Sequence, residues 1–173
     1  MIVVVMGVCG CGKTTVGRAL ARRLGWRFFD ADDFHPPANV DKMARGIALN
    51  DDDRAPWLDR LAAEMRAVVA KGEHAVLACS ALKESYRQRI AKGLGETNSG
   101  AAAHPDVRIV YLKGDATTIE PRLALRSDHY MPPSLLASQF AALEEPRNAM
   151  VIDIRHPAEA QAAQIAAGLS STA

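Results

Sequence analysis

No run of about eighteen apolar residues occurs in this chain, so no segment of it is expected to span a membrane. The apolar opening, MIVVVMGV, has neither a basic flank nor a small-residue cleavage site. It reads as a buried strand rather than a signal peptide. Charge of one sign is also missing. The formal net charge is +1, far from the basic excess of a phosphate-backbone binder, so nucleic acid is not an expected partner. Only three cysteines are present among 173 residues. An odd number, with no secretory signal, points to a reducing cytoplasm and no disulfide framework. Zinc needs four ligands at C-x₂₋₄-C spacing, and Cys9-Gly10-Cys11 with a distant Cys79 does not supply them.

What remains is ordinary globular material. Hydrophobic residues make up 49% of the chain and charged residues 24%, enough for one core-forming domain over residues 1–173. Ile2 to Met6 is a continuous apolar run, mostly β-branched, the pattern of a strand buried on both faces of a parallel sheet. Val16, Ala19, Leu20 and Leu24 then recur at helical spacing, and Gly25 stops that helix. Further strands are expected at 26–30, 74–80, 107–112 and 149–154. Helices are expected at 38–46, 56–70 with Asp53 as N-cap, 82–92, 115–126 with Pro121 a potential kink, 134–143 and 157–169. Residues 93–106 read as a surface loop. Strands alternating with helices specify βαβ units, hence a three-layer α/β/α fold on a five-stranded parallel sheet. In such sheets ligands lie off the carboxyl ends of the strands.

Gly7-Val8-Cys9-Gly10-Cys11-Gly12-Lys13-Thr14 lies at such an end and fits G-x-x-x-x-G-K-[ST], the phosphate-binding P-loop. Its backbone N–H groups must turn inward around an oxyanion, and glycines permit the dihedrals and the close approach. The helix opening near Gly12 adds its positive end. Lys13 reaches the outer phosphates of a nucleotide such as ATP, and the Thr14 hydroxyl binds Mg²⁺. Thr15 completes the loop. Cys9 and Cys11 are expected to act through their amides. A second reading gives their thiols lowered pKa values beside Lys13, and hence ready reactivity.

Asp30 and Asp32 end the second strand. Phosphoryl transfer needs acids in two roles: one supports the metal, and another accepts or orients the proton of the attacking hydroxyl. An anionic acceptor would be gripped by a guanidinium better than by an ammonium. His35 is close enough in sequence to Asp32 to touch the acceptor.

Four stretches carry a resemblance to a known family. DADDFHPPANVDKMARGIALNDDDRAPWL (Asp30–Leu58), CSALKESYR (Cys79–Arg87), YLKGD (Tyr111–Asp115) and HYMPPSLLASQFAALEEP (His129–Pro146) resemble the gluconokinases. These are small P-loop kinases, similar to nucleoside-monophosphate kinases, that transfer the ATP γ-phosphate to the 6-hydroxyl of D-gluconate. The resemblance implies ATP and D-gluconate as substrates and Mg²⁺ as cofactor, and it admits a homodimer. It implies Asp32 as base or hydroxyl anchor and Asp30 as metal support. It places Arg54, Ser80, Lys83 and Arg87 around the acceptor, from a segment spanning about 34–60 and the end of the third strand. Arg122 and Arg126 are implied beside the transferring phosphate, with His129 in a lid at about 126–133. Serine is usual in that family where Cys9 and Cys11 stand, and proline where Ala48 stands. A shikimate or nucleotide kinase is the nearest alternative, against which LNDDDR and CSALK argue. A GTPase-like switch would need an [NT]-K-x-D motif, and none occurs.

Overall fold

The computed structural model describes residues 1–94, 106–125 and 135–170. Among these, five strands form one sheet: β1 (Ile2–Met6), β2 (Arg27–Asp30), β3 (Ala75–Ala78), β4 (Val107–Lys113) and β5 (Met150–Asp153), in the order β2-β3-β1-β4-β5. Every pairing is parallel, with Val4 of β1 opposite Leu77 of β3 and Ile109 of β4. The expected α/β architecture is therefore the observed one. All five residues of β1 are buried, because β1 is the middle strand with helices on both faces. Val3 and Val5 join one core, and Ile2, Val4 and Met6 join the other, as the two-residue period of a strand requires.

The helices are α1 (Lys13–Leu24), α2 (Pro37–Ala44), α3 (Asp51–Ala70), α4 (Glu84–Gly93), α5 (Ala116–Ala124), α6 (Leu136–Ala142) and α7 (Ala158–Ser170). α1 and α7 pack together over one face of the sheet, and α3 and α4 over the other. α3 starts earlier than its apolar periodicity predicts. Its N-cap is Asn50, not Asp53: Asn50 Oδ1 accepts from the Asp53 amide at 2.8 Å, and Asp53 Oδ2 accepts from the Asn50 amide at 3.0 Å. This reciprocal capping box, with Asp51, Asp52 and Asp53 at the positive end of the helix, carries the helix through Pro56. The proline removes one donor near the start, and the burial of Trp57, Leu58 and Leu61 outweighs that loss. Pro121 likewise lies inside α5, which runs on to Ala124.

α3 and α4 touch where neither has bulk. A Cβ built on Gly93 would stand 2.2 Å from the Ala62 Cβ and 3.2 Å from its Cα, so glycine is needed there for close approach. In an open helix Gly→Ala is favourable by about 1 kcal/mol. Gly93→Ala is expected to reverse that sign and destabilise by about 1–3 kcal/mol through overpacking. Urea unfolding checks this, and equal or higher stability would contradict the close approach.

Candidate functional site

The carboxyl ends of β1, β2 and β3 open onto one cavity. Its walls include Cys9, Gly10, Gly12, Lys13 and Thr14 from the loop after β1. Asp30, Asp32 and His35 come from the end of β2, Arg54 and Trp57 from α3, and Ser80 and Leu82 from the turn after β3. Gly7, Gly10 and Gly12 take φ values of 145°, 77° and 100°, a conformation that side chains rarely adopt. At Gly10 a Cβ would also meet Leu123 and Ile119 of α5 at 2.8–2.9 Å. Gly12 caps α1 in the left-handed conformation, and Lys13 Nζ bridges back to the Val8 carbonyl at 3.0 Å. Thr15 follows on the exposed side of α1.

Both cysteines of the loop are buried, and Cys11 Sγ would lie 2.8 Å from a Cβ on Gly7. Burial pushes the Cys11 thiol up, and this outweighs the attraction of Lys13 and Arg122. Burial likewise pushes Cys79 up to about 12. The reading of Cys11 as an activated thiol is therefore corrected: the sulfur is packed beneath the loop rather than presented to solvent. Cys9 acts through its backbone, its amide donating to Gln139 Oε1 of α6 at 2.7 Å.

After β2 the chain does not simply run on. Ala31–Phe34 form a single 3₁₀ turn capped by Asp30, whose Oδ1 accepts from the Asp32 amide at 3.2 Å. The other oxygen of Asp30 accepts from the Thr14 hydroxyl at 2.7 Å. This pair of hard oxygens suits a divalent cation that keeps most of its water and binds few protein ligands. The turn is held from behind by Trp57, whose indole N–H donates to the Ala31 carbonyl at 2.8 Å. His35 stacks on the Trp57 ring, centroids 4.2 Å apart and planes 13° from parallel. Burial, then the charge of Arg54, lowers its pKa to about 4, so the imidazole is neutral at pH 7. Buried Asn39 donates through Nδ2 to the Asp53 carbonyl at 2.8 Å, and the same nitrogen faces His35 Nδ1 at 3.5 Å. A donor at Nδ1 leaves the ring proton on Nε2.

The basic residues divide into separate groups. Arg54 lines the cavity. It donates to the Leu49 carbonyl and, at 3.4 Å, to the Tyr86 hydroxyl. Lys83 borders a shallower neighbouring recess that also includes Arg54, and it pairs with Asp51 at 2.8 Å. Arg87 is not among the cavity's lining residues. It is 5% exposed and donates to the Ala81 and Leu82 carbonyls, each at 2.9 Å, and to Glu84 at 2.7 Å. Ala81 holds φ 42°, a strained value for a residue with a Cβ. Arg87 therefore clamps the corner that carries Ser80 and Leu82, rather than presenting its charge to the acceptor. Arg122, on α5, donates to the Ile154 carbonyl at 2.8 Å and does not line the cavity either. Arg126, His129 and the lid segment at 126–133 lie outside the described residues. Sequence reasoning overlooked Trp57, Asn39 and Gln139. A lone tryptophan, asparagine or glutamine carries no motif of its own, although all three fall within stretches that resemble the family.

Comparison with known proteins agrees with this geometry. Residues 2–146 match a family model described as an AAA domain. The chain is 49% identical over 145 residues to a gluconokinase from Gluconobacter oxydans, covering 83% of this chain and 75% of that one. A sugar kinase from Janibacter superposes with a TM-score of 0.86 at 41% identity, covering 98% and 94% of the two chains. A gluconokinase from Sinorhizobium meliloti superposes with a TM-score of 0.75 at 37% identity, covering 99% and 96%. The P-loop, the capped carboxylate turn and the arginine beside it thus lie in a chain that belongs to the gluconokinase family of P-loop kinases.

Proposed function

We propose that this protein transfers the γ-phosphoryl group of ATP to the 6-hydroxyl of D-gluconate, giving ADP and 6-phospho-D-gluconate. One observation carries the reading: a phosphate cradle from the loop after β1, a carboxylate from the turn after β2 and a guanidinium from the first turn of α3 line the same cavity. Little covalent work falls to the protein in such a transfer, and catalysis is mainly positioning and charge stabilisation. The loop amides that follow Gly7, whose own amide donates to the Ser80 carbonyl, and the Lys13 ammonium hold the phosphates. Thr14 and Asp30 would hold Mg²⁺, which would supply positive charge to offset that of the phosphates. Asp32 accepts or orients the proton of the attacking hydroxyl. Arg54 receives the sugar-acid carboxylate, and Ser80 and the Nε2–H of neutral His35 meet its hydroxyls. Residues 34–60 form the acceptor segment. The whole chain acts as one kinase domain in the cytoplasm.

Asp32→Asn is expected to lower kcat by about 10²–10⁴, the range for a lost acid–base group, while ATP binding measured by calorimetry persists. Near-normal turnover would remove Asp32 from this role. Arg54→Ala is expected to raise KM for gluconate by roughly 10–100-fold, the worth of hydrogen bonds between charged partners, with a much smaller change in KM for ATP. An equal effect on both substrates would show that Arg54 supports the site rather than gripping the acid.

His35 makes stability depend on pH with a definite sign. The unfolded imidazole binds a proton below about 6.5, whereas the folded one does so only near 4. Between these values the unfolded state holds more protons, so stability falls as pH falls. His35→Gln removes that slope. From pH 7.5 to pH 5, the wild type should lose roughly 1 kcal/mol more than the variant in urea unfolding, after allowing for the partly exposed ring. Equal losses would mean that the ring is solvated.

A further inference from the structure

Gln139 stands where two halves of the site meet. Its Oε1 accepts from the Cys9 amide at 2.7 Å, reaching across 130 residues of chain to the phosphate loop. Its side chain also borders the recess formed with Asn50, Arg54, Leu82 and Lys83, on the acceptor side. A backbone N–H inside a cavity needs an acceptor, and an amide oxygen has the hydrogen-bonding character of a phosphate oxygen without its charge.

Cys9 is also at the relevant end of the loop. Gly12, Lys13 and Thr14 open α1, whereas the start of the loop lies beside β3, the Gly7 amide donating to the Ser80 carbonyl at 3.4 Å. The Cys9 amide meets Gln139, which borders the acceptor-side recess, and the phosphate to be transferred has to lie on that side of the loop. Lys13 is likewise turned onto a loop carbonyl. The cavity between these groups is only about 60 Å³, room for roughly two waters, so side chains must move for substrates to enter.

We propose that Gln139 is a phosphate-site residue: its side-chain oxygen holds the Cys9 amide in the free enzyme and yields it to an oxygen of the terminal phosphate of ATP. Gln139 thereby sets how strongly the enzyme prefers ATP to ADP, since ADP has no terminal phosphate to displace it. The inference rests on the reading of the loop as an ATP site. A carboxylate in the same place would hold the amide more tightly and repel the phosphate as well.

The test is calorimetric binding of ADP and of the non-hydrolysable β,γ-imido analogue of ATP, with Mg²⁺, to the full chain and to two variants. Gln139→Ala should tighten the analogue about three- to tenfold, the worth of one neutral hydrogen bond, and leave ADP unchanged. Gln139→Glu, which is isosteric, should weaken the analogue at least about tenfold more than ADP. A purely structural role would move both ligands together, and ADP binding reports that each variant is folded. An unchanged ratio of the two affinities in both variants would overturn the proposal. So would a selective loss of the analogue in Gln139→Ala, which would make Gln139 a permanent phosphate ligand. A wild-type protein that bound neither nucleotide would overturn the kinase reading along with it.

Discussion

The site depends on one carboxylate placed between two loops. Asp30 accepts from the Thr14 hydroxyl with one oxygen and from the Asp32 amide with the other. It ends β2, an edge strand, while Thr14 opens the helix after β1, the central strand. β3 lies between them, so the contact ties the phosphate loop to the acceptor turn across the top of an intervening strand. An edge strand is free to twist and fray, and its four residues are all at least partly exposed. Anchoring Asp30 to Thr14 removes that freedom where Asp32 must be aimed. The Trp57 indole on Ala31 does the same from the other side of the turn. Reactants held in register lower a barrier by more than any single charge does, and here the register comes from two hydrogen bonds to a four-residue turn.

Electrostatics divides the cations among tasks in a way that residue type alone does not. Arg54 and Arg87 both lie near the end of β3, and Tyr86 separates Arg54 from Lys83, which lies 5.5 Å from the Tyr86 ring centroid. Arg87 is buried and its donors are taken by two carbonyls and Glu84. A buried guanidinium tolerates loss of water only when its donors are matched, and these partners match it. Arg54 keeps an open side on the cavity, with a carbonyl and a phenol as neutral partners. Two of the aspartates beside it face elsewhere. Asp51 binds Lys83 and Tyr86, and Asp53 binds Lys42 and accepts from the Asn50 amide. Lys83 and Lys42 hold these carboxyls below the usual carboxylate range. Asp51 and Asp53 thus direct their hydrogen bonds to groups other than the Arg54 guanidinium.

Much of this was legible in the sequence, for physical reasons. Burial on both faces leaves a strand no polar positions, so β1 could be read directly from Ile2–Met6. The P-loop could be read because backbone recognition of an anion imposes glycine at fixed places. That Asp32 and Arg54 line one cavity was expected from family resemblance. The 3₁₀ turn after Asp30 was not legible: alternation of acids predicts a strand face, and only the cap contact with the Asp32 amide reveals the change of direction. Arg87 was misplaced because an arginine that clamps carbonyls and one that binds an anion have the same local pattern. The start of α3 was missed because a capping box with aspartate at its third position was hidden in a run of three aspartates.

The cysteines illustrate the same distinction between backbone and side chain. A cradle that recognises phosphate through amides leaves its side chains free to serve packing, so Cys11 can fill the space under Gly7 as a small hydrophobic group. Its chemistry is suppressed by that placement, since the thiolate is favoured by solvent and by nearby cations only when burial does not oppose them. The loop therefore imposes glycine wherever the backbone must take positive φ or another segment must come close, and it accepts any compact residue in between. For Cys9 the opposite side of that freedom applies. Its amide faces the cavity whatever its side chain is, and the group that meets this amide comes from α6, far away in the chain. The discrimination a P-loop achieves is thus fixed partly by what competes for its donors, and that competitor lies outside the motif by which such loops are recognised.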